Sequence, residues 1–249
     1  EEILDVANKQ LQAQGKRGLV VIADNLDRID PIRRADGRSQ SDYLFVDRGE
    51  QLKRLNCHLI YTIPLALIFS DELPRLSNRF GTAPKLLSMV PVNTRTGEPF
   101  ARGRQLLQKM VMVRAFPMLP EDERWQQIDQ VFDSANTLNR LVAISGGHMR
   151  NLMRLLYGCL QKGDPPITQA ILESVIRDER DALMSLIDAQ EWALLFEAIS
   201  QRDEQGNEAY NPLLRSLFLY EYRDADGRWF GLNPVLAETK RYRDWQANH

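Results

Sequence analysis

Two short apolar runs near the start of the chain have the pattern of buried strands. Residues 19–23 read Leu-Val-Val-Ile-Ala, and residues 58–64 read His-Leu-Ile-Tyr-Thr-Ile-Pro. An unbroken apolar run, in contrast to an alternating one, is typical of a strand that is covered on both faces of a parallel sheet. A loop and a predicted short helix at 46–55 separate the two runs, and this order favours an α/β sheet.

Helical periodicity dominates most of the remaining chain. An amphipathic helix is predicted before the first strand and ends near Gly15, and further helices are predicted between residues 104 and 200. Apolar stripes mark these helices at Ile3, Leu4, Ala7 and Leu11; at Leu106, Leu107, Met110 and Val113; at Trp125, Ile128 and Phe132; at Leu152, Leu155, Leu156 and Leu160; and at Trp192, Leu195, Phe196 and Ile199. Thr168 is a predicted N-cap for a helix that runs through Arg180.

The sequence pattern at the end of the chain predicts a different arrangement of elements. A helix start is predicted at Pro212, and a β-hairpin is predicted over 217–232, with its turn at residues 224–227 (Asp-Ala-Asp-Gly). The order helix, turn, helix and hairpin is typical of a winged-helix domain. The aromatic residues at strand spacing in this hairpin are predicted to form its core, not a base-stacking platform; they are Tyr220, Tyr222, Trp229 and Phe230.

The predicted fold class is therefore α/β plus all-α, with a truncated parallel sheet, a helical bundle and a C-terminal winged helix. We expect three domains, at residues 1–103, 104–183 and 184–249. A helix followed by a buried strand is half of a βαβ crossover. We therefore expect the chain to be a fragment of a larger protein.

Composition excludes several classes of protein. The chain is 43% hydrophobic and 27% charged, which is ordinary for a globular protein. A net charge of −2 gives no electrostatic reason to expect a dedicated nucleic-acid binder. A local basic patch is still compatible with this net charge. Cys57 and Cys159 lack metal-ligand spacing, so we expect reduced core cysteines in a cytoplasmic protein. No apolar run reaches the roughly 18 residues that a membrane span needs.

Polar side chains at the ends of the two predicted strands are candidates for phosphate chemistry. Asp24 and Asp27 follow the first strand, and P-loop NTPases hold the magnesium of a nucleotide with a carboxylate delivered in this way. The alternative is a strand that ends in an ordinary polar turn. Thr62 lies in the second run and could bond the γ-phosphate or the attacking water. It could equally be a β-branched residue at home in a strand.

Arginines supply the other candidates. Arg150 lies in the first turn of the helix that begins after Gly146-Gly147, where its charge could stabilise a phosphoryl group in transfer. The alternative is a glycine-rich helix entry with a solvated arginine. Three more arginines follow the second strand, and one of them could act as an arginine finger in the site of a neighbouring subunit; they are Arg75, Arg79 and Arg95. The alternative for these three is a surface position or a structural ion pair. The three histidines, His58, His148 and His249, are too scattered to predict a metal site.

The succession of these motifs resembles the AAA+ ATPases, in particular the origin-recognition initiators and the related STAND ATPases. VVIADNLDR is similar to a Walker B strand, LIYTIP to a sensor-1 strand and SGGHMRNLMRLL to a sensor-2 helix, and LFLYEYRDADGRWFGLNPVL is similar to the winged-helix end of STAND proteins. The resemblance implies an ATP-dependent switch or oligomeric machine that uses ATP and Mg²⁺. It also implies that Asp24 binds the magnesium, and that Thr62 and Arg150 act as sensors 1 and 2.

The sequence departs from the family in two respects. No G-x-x-x-x-G-K-[ST] motif is present, so the P-loop segment is an expected missing partner. Asn25 stands where the family usually has a water-activating acid, and an amide cannot act as a base, although Asp27 could substitute. We therefore expect that this chain alone neither binds ATP tightly nor hydrolyses it.

Two other functions fit the same sequence. One is a non-enzymatic regulator or adaptor, with a homo-oligomer or a protein bound through the winged helix. The other is a DNA-binding replication or transposition factor that uses the winged helix. The region around Pro212 offers Arg215, and the hairpin mixes basic and acidic residues, which is a poor balance for binding phosphates.

Overall fold

A computed structural model describes residues 2–29, 35, 37–68, 70–201 and 208–248 of the chain. The predicted combination of α/β and all-α structure is confirmed, with a small parallel sheet and many helices. The chain divides into two compact units, Glu1–Leu86 and Leu87–His249.

The first unit contains a two-stranded parallel sheet. Strands β1 (Val20–Ala23) and β2 (His58–Tyr61) pair in parallel, with Val20 opposite His58 and Ala23 opposite Tyr61. The helices of this unit are α1 (Glu2–Ala13), α2 (Gly49–Leu52), α3 (Leu65–Ile68) and α4 (Leu73–Phe80). The predicted helix at 46–55 is divided into a π-helical turn at Asp42–Asp47 and α2.

The prediction that both strands are covered on both faces is wrong. Burial alternates along each strand, and the side chains of Val20, Ile22 and Ile60 are 52%, 64% and 51% exposed. Tyr61, on the other face, packs against a cluster of buried side chains formed by Phe45, Val46, Leu67 and Leu76. One layer of helices and turns therefore covers one face of the sheet, and the second face carries exposed apolar side chains.

Helix α1 is fixed to the amino-terminal ends of the strands by an asparagine. The side chain of Asn8 accepts a hydrogen bond from the backbone N–H of Leu19 (3.0 Å) and donates one to the carbonyl of Asn56 (2.7 Å). The helix ends at Ala13, and Gly15 follows with φ +74°, a conformation that glycine adopts without strain. The predicted end of this helix near Gly15 is thus confirmed.

The second unit is mainly helical. Its helices are α5 (Ala101–Ala115), α6 (Glu121–Gln126), α7 (Ala135–Ile144), α8 (Met149–Lys162), α9 (Gln169–Leu186), α10 (Ala189–Gln201), α11 (Asn211–Arg215), α12 (Pro234–Ala237) and α13 (Lys240–Ala247). The predicted cap of α9 is confirmed, since Thr168 Oγ1 accepts a hydrogen bond from the N–H of Ile171 (3.3 Å), and the helix continues past Arg180.

In two helices, some residues of the predicted apolar stripe are exposed. In α5 the buried residues are Gly103, Leu107, Val111 and Met112, whereas Leu106 is 56% exposed. In α8 the buried face includes Leu152 and Leu155, but Leu160 is 45% exposed and Cys159 takes the core position instead. Cys57 and Cys159 are both free thiols; Cys159 lies in the core as predicted, whereas Cys57 is only half-buried.

The predicted hairpin is confirmed. Strands β3 (Leu219–Asp224) and β4 (Gly227–Leu232) pair in antiparallel fashion, with Asp224 opposite Gly227. The four hairpin aromatics named above are all buried, so their predicted core role is also confirmed. The winged-helix assignment remains a prediction, and residues 202–207 of that segment lie outside the described residues. Within the described part of the chain, no helix combines the length and apolar character required to traverse a bilayer.

An arginine on α7 connects the helical bundle to the end of the chain. The guanidinium of Arg140 donates two hydrogen bonds to Glu173 on α9 (2.7 and 3.2 Å) and lies 2.6 Å from a carboxylate oxygen of Glu238. These hydrogen bonds hold the pKa of Glu173 below its usual value. A carboxyl group with a lowered pKa stabilises the fold above its unfolded pKa, and this contribution is lost as pH falls through the folded pKa.

We expect Arg140→Met to destabilise the second unit by about 1–2 kcal/mol at neutral pH, because it leaves two partly buried carboxylates without their cation. The figure allows for solvent screening, since about a third of each carboxylate side chain is exposed. The difference from the parent chain should shrink below about pH 4, as pH falls through the lowered pKa of Glu173 and its contribution is lost. Urea unfolding followed by circular dichroism at several pH values measures both effects.

The control variant, Lys109→Met, breaks the more exposed ion pair with Glu121 and should change stability by no more than about 0.5 kcal/mol. A loss from Arg140→Met that persists undiminished at pH 3 would contradict this account.

Candidate functional site

The carboxyl ends of β1 and β2 bring two of the candidate residues to one edge of the sheet. Because Ala23 lies opposite Tyr61 in a parallel register, Asp24 and Thr62 follow their strands side by side. The backbone N–H of Thr62 donates to the carbonyl of Ala23 (3.2 Å), and the N–H of Leu26 donates to the hydroxyl of Thr62 (3.1 Å). Thr62 is therefore bonded directly to the turn that carries the acidic residues.

The turn after β1 has an unusual backbone conformation at Asn25. This residue has φ 62° and ψ 11°, in the left-handed region, where asparagine is several-fold enriched among residues other than glycine. A carboxylate oxygen of Asp24 accepts a hydrogen bond from the N–H of Asn25 (2.8 Å), and a 3₁₀ turn at Leu26–Arg28 follows. Asn25 thus has a conformational reason for its identity.

The exposed oxygen atoms at this edge suit a hard cation and its phosphate ligands. Asp24 and Asp27 are both exposed, and the second carboxylate oxygen of Asp24 forms no hydrogen bond with the described residues. Because the oxygen of Thr62 accepts from Leu26, its own hydrogen can be donated to an incoming oxygen atom. Carboxylate and hydroxyl oxygens are donors that Mg²⁺ prefers, and it commonly completes its shell with water and substrate phosphates. Among the described residues, no group of three or more His, Cys, Asp or Glu could hold a metal ion.

The candidate finger arginines are all engaged in ion pairs. Arg75 contacts Glu72 (2.8 Å) and Asp47 (3.7 Å), and Arg79 contacts Glu50 (3.7 Å). Arg95 contacts Asp224 at the end of β3 through two hydrogen bonds (2.9 and 3.2 Å). Each arginine therefore has the structural ion pair that was the alternative to a finger role.

The glycine pair before α8 makes two close backbone approaches. Gly146 and Gly147 are buried and have φ +62° and +82°. A Cβ atom on Gly146 would lie 2.4 Å from the ring of Tyr220, and one on Gly147 would lie 1.6 Å from the carbonyl oxygen of Val90. The N–H of Val90 also donates to the carbonyl of Gly147 (3.3 Å). Packing and backbone conformation therefore both require glycine at each position.

Arg150 lies at the start of the helix that this turn introduces. It is exposed and forms no ion pair with the residues that the structure describes. His148 caps the helix, since its Nδ1 accepts a hydrogen bond from the N–H of Asn151 (3.3 Å). Burial, together with the positive charges of Arg150 and Arg154, lowers the pKa of His148. An imidazole with a lowered pKa stays neutral and keeps Nδ1 free to accept this bond.

The candidate residues fall into two groups. Asp24, Asp27 and Thr62 belong to the first unit, together with Arg75 and Arg79, whereas Arg150 belongs to the second unit. Three long-range contacts were not predicted: that of Asn8 with the start of the strands, and those of Tyr220 and Tyr222 with the glycine pair. No local signal could have found them, because each joins segments that are distant in the chain.

Comparisons with known proteins do not establish a family. No family model matches the chain, and no curated protein sequence matches it. Among solved structures, a mutant of RuvB from Thermotoga maritima is similar, with 13% identity and a TM-score of 0.36, over 98% of this chain and 93% of that chain. A TM-score this low does not demonstrate a common fold. The proposals below therefore rest on the residues described above.

Proposed function

We propose that this chain is the C-terminal portion of an AAA+ or STAND-like ATPase, which serves as an ATP-dependent switch or as part of an oligomeric machine, and that it is inactive alone. The observation that carries the proposal is the juxtaposition of Asp24 and Thr62 at the carboxyl edge of two parallel strands. In open α/β sheets, ligands bind outside the carboxyl ends of the strands. The arrangement matches what a Walker B carboxylate and a sensor-1 hydroxyl need.

In the proposed site, Asp24 would hold Mg²⁺ and Thr62 would donate a hydrogen bond to a γ-phosphate oxygen or to the attacking water. The bound magnesium ion would neutralise charge on the phosphates. Asp27 is the remaining candidate for a general base, because the amide of Asn25 cannot accept a proton. A P-loop segment outside this chain would hold the phosphates.

The candidate arginines differ in whether their charge is already paired. Arg150 is exposed and carries an uncompensated charge, so it can serve as sensor 2 without breaking an ion pair. Arg75 and Arg79 would have to leave their carboxylate partners before either could act as a finger in a neighbouring subunit. Arg150 is therefore the first candidate for a cation that contacts the phosphates.

We expect Mn²⁺, a paramagnetic substitute for Mg²⁺, to bind at Asp24 in the presence of millimolar ATP. Nuclear magnetic resonance of the labelled chain should then show selective broadening of the amides at residues 23–28 and 61–63. Asp24→Asn removes the charged ligand and should abolish the broadening. We expect binding to be weak, because the site has one carboxylate ligand. Paramagnetic broadening by sub-stoichiometric Mn²⁺ is sensitive enough to detect weak binding.

Asp5→Asn is the matched control for this experiment. Asp5 accepts a hydrogen bond from Asn56, which precedes β2, so it lies at the opposite end of the same two strands. Its replacement should leave the broadening unchanged. Broadening that survives in Asp24→Asn would contradict the assignment of the metal ligand. ATP turnover by the chain alone, if it disappears in Asp24→Ala, would contradict the proposal that the chain is inactive by itself.

A role in protein contacts is a second candidate function, and one observation favours it. Val20, Ile22 and Ile60 present three exposed apolar side chains on one face of the sheet. Adjacent exposed apolar side chains of this kind often mark a contact surface. A non-enzymatic adaptor or regulator would use such a surface without any nucleotide chemistry.

We expect the chain not to bind DNA in a salt-sensitive manner. The aromatics of the hairpin are buried, and Arg223 and Arg228 lie 3.7 and 3.9 Å from the carboxylate of Glu221, so the hairpin has little positive charge free for phosphates. A gel-shift assay at low salt with a mixed-sequence duplex tests this expectation. A shift that is lost between about 50 and 200 mM salt would overturn it and would favour a DNA-binding replication or transposition factor.

A further inference from the structure

The β3–β4 hairpin contacts the chain on both sides of Arg150. The hydroxyl of Tyr222 donates a hydrogen bond to the carbonyl of Gly146 (2.7 Å), and both groups are buried. The side-chain amide of Asn151 donates a hydrogen bond to the hydroxyl of Tyr220 (3.4 Å). One contact precedes Arg150 along the chain and the other follows it directly, so the backbone at residue 150 is held between two points of the hairpin.

The hairpin is itself fixed to the segment that supports the glycine pair. Asp224 at the end of β3 accepts two hydrogen bonds from Arg95. Five residues before Arg95, Val90 donates to the carbonyl of Gly147. The hairpin, the segment around Val90 and the glycine pair therefore form a closed set of contacts.

The side chain of Arg150 is free in this arrangement, while its backbone is not. Asn151 is also contacted by Arg154, whose guanidinium donates to its side-chain oxygen (2.8 Å) and also pairs with Glu179 on α9. The backbone before and after Arg150 is thus fixed by named contacts, and its guanidinium is left exposed. The contacts of the hairpin therefore fix the point from which this charged side chain extends.

We propose that Tyr222 and Tyr220 are positioning residues for Arg150, so that the hairpin sets where this cation is presented. The proposal rests on the proposed function in one respect, the phosphate-sensing role of Arg150. It goes beyond that function because it makes the hairpin a control element. A partner that displaces the hairpin would change the response to nucleotide without contacting the nucleotide.

The first test is amide hydrogen exchange of the full chain carrying Tyr222→Phe, which removes the hydroxyl and leaves the ring. The reporters are three amides at the start of α8: His148 donates to Ser145, and Asn151 and Leu152 both donate to His148. Loss of the hydrogen bond to Gly146 should accelerate their exchange about tenfold. Gly163, whose N–H donates to Cys159 at the far end of α8, should be unaffected.

Tyr157→Phe is the matched control, because Tyr157 lies on the same helix and is 62% exposed. It should leave all four exchange rates unchanged. Equal acceleration of Gly163 and of the reporters in Tyr222→Phe would show a general loss of stability and would overturn the positioning role. Unchanged reporters would also overturn it.

The second test is a double-mutant cycle on Mg·ATP binding at millimolar nucleotide. If Tyr222 acts through Arg150, then Tyr222→Phe and Arg150→Ala each weaken binding, and the double variant binds no more weakly than Arg150→Ala alone. Additive losses would contradict action through Arg150. If the parent chain shows no response to Mg·ATP at all, the phosphate-sensing role of Arg150 within this chain is contradicted, and the exchange rates still decide whether the hairpin positions residue 150.

Discussion

Gly147→Ala is expected to destabilise the second unit by about 2–4 kcal/mol, a large fraction of the total stability of a domain. The left-handed conformation alone costs about 1 kcal/mol for an alanine. The larger part arises because the new Cβ would lie 1.6 Å from the carbonyl oxygen of Val90, a backbone atom that has no rotamer by which to move away. Overpacking of this kind typically costs a further 1–3 kcal/mol or so. Urea unfolding followed by circular dichroism measures the loss.

The matched control is Gly97→Ala in the same unit. Gly97 also has a positive φ, +93°, but a Cβ atom there would meet nothing within 4 Å. This variant should therefore lose only the conformational part, about 1 kcal/mol. The difference between the two variants isolates the contact with Val90. Equal losses would show that the close approach at Gly147 relaxes easily, and that backbone conformation alone explains the glycine.

Features of the fold whose signals lie within a few residues could be predicted. The cap of α9 depends on Thr168 and the three residues after it. The hairpin turn depends on the residues from Asp224 to Gly227. In both cases a side-chain hydrogen bond or a permitted positive φ determines the local backbone, and no distant segment is needed.

The extent of burial could not be predicted from the same patterns. Successive residues in an α-helix are rotated by about 100°, so Leu106 lies at the margin of a face centred on Leu107 and Val111. The apolar periodicity of a helix shows which face points towards the core. It does not show how wide a part of that face the neighbouring elements cover. The same reason applies to Ile22, since an apolar run in a strand does not reveal how many layers pack against it.

The candidate site was predictable where it follows from strand geometry. Two parallel strands place their carboxyl ends at one edge, so the proximity of Asp24 and Thr62 could be expected once both runs were assigned as strands. The bond between Tyr222 and Gly146 joins residues 76 positions apart, and no local pattern encodes it. At Asn25 the sequence shows only that an amide replaces an acid, whereas the structure shows a left-handed backbone conformation that suits asparagine.

Trp192→Ala is expected to destabilise the second unit by about 3–5 kcal/mol, the range typical of truncating a buried aromatic residue. The side chain of Trp192 is fully buried, and its ring lies 5.3 Å from that of Phe196, with the guanidinium of Arg241 at 5.3 Å. The variant loses apolar burial, an aromatic contact and a cation–π contact, and it leaves a cavity that α10 and α13 cannot close without moving.

Trp245→Ala on α13 separates burial from aromatic stacking. The indole of Trp245 stacks on Phe196 with a centroid distance of 4.8 Å and an interplanar angle of 2°, yet it is only half-buried. Its removal should cost about 1–2 kcal/mol, mainly through the lost stacking and partial burial. Circular dichroism is the appropriate probe in urea, because both variants change the tryptophan fluorescence. If Trp245→Ala proved as damaging as Trp192→Ala, the stack between α10 and α13 would be the main source of stability at this end of the chain. The buried position of Trp192 would then be of secondary importance.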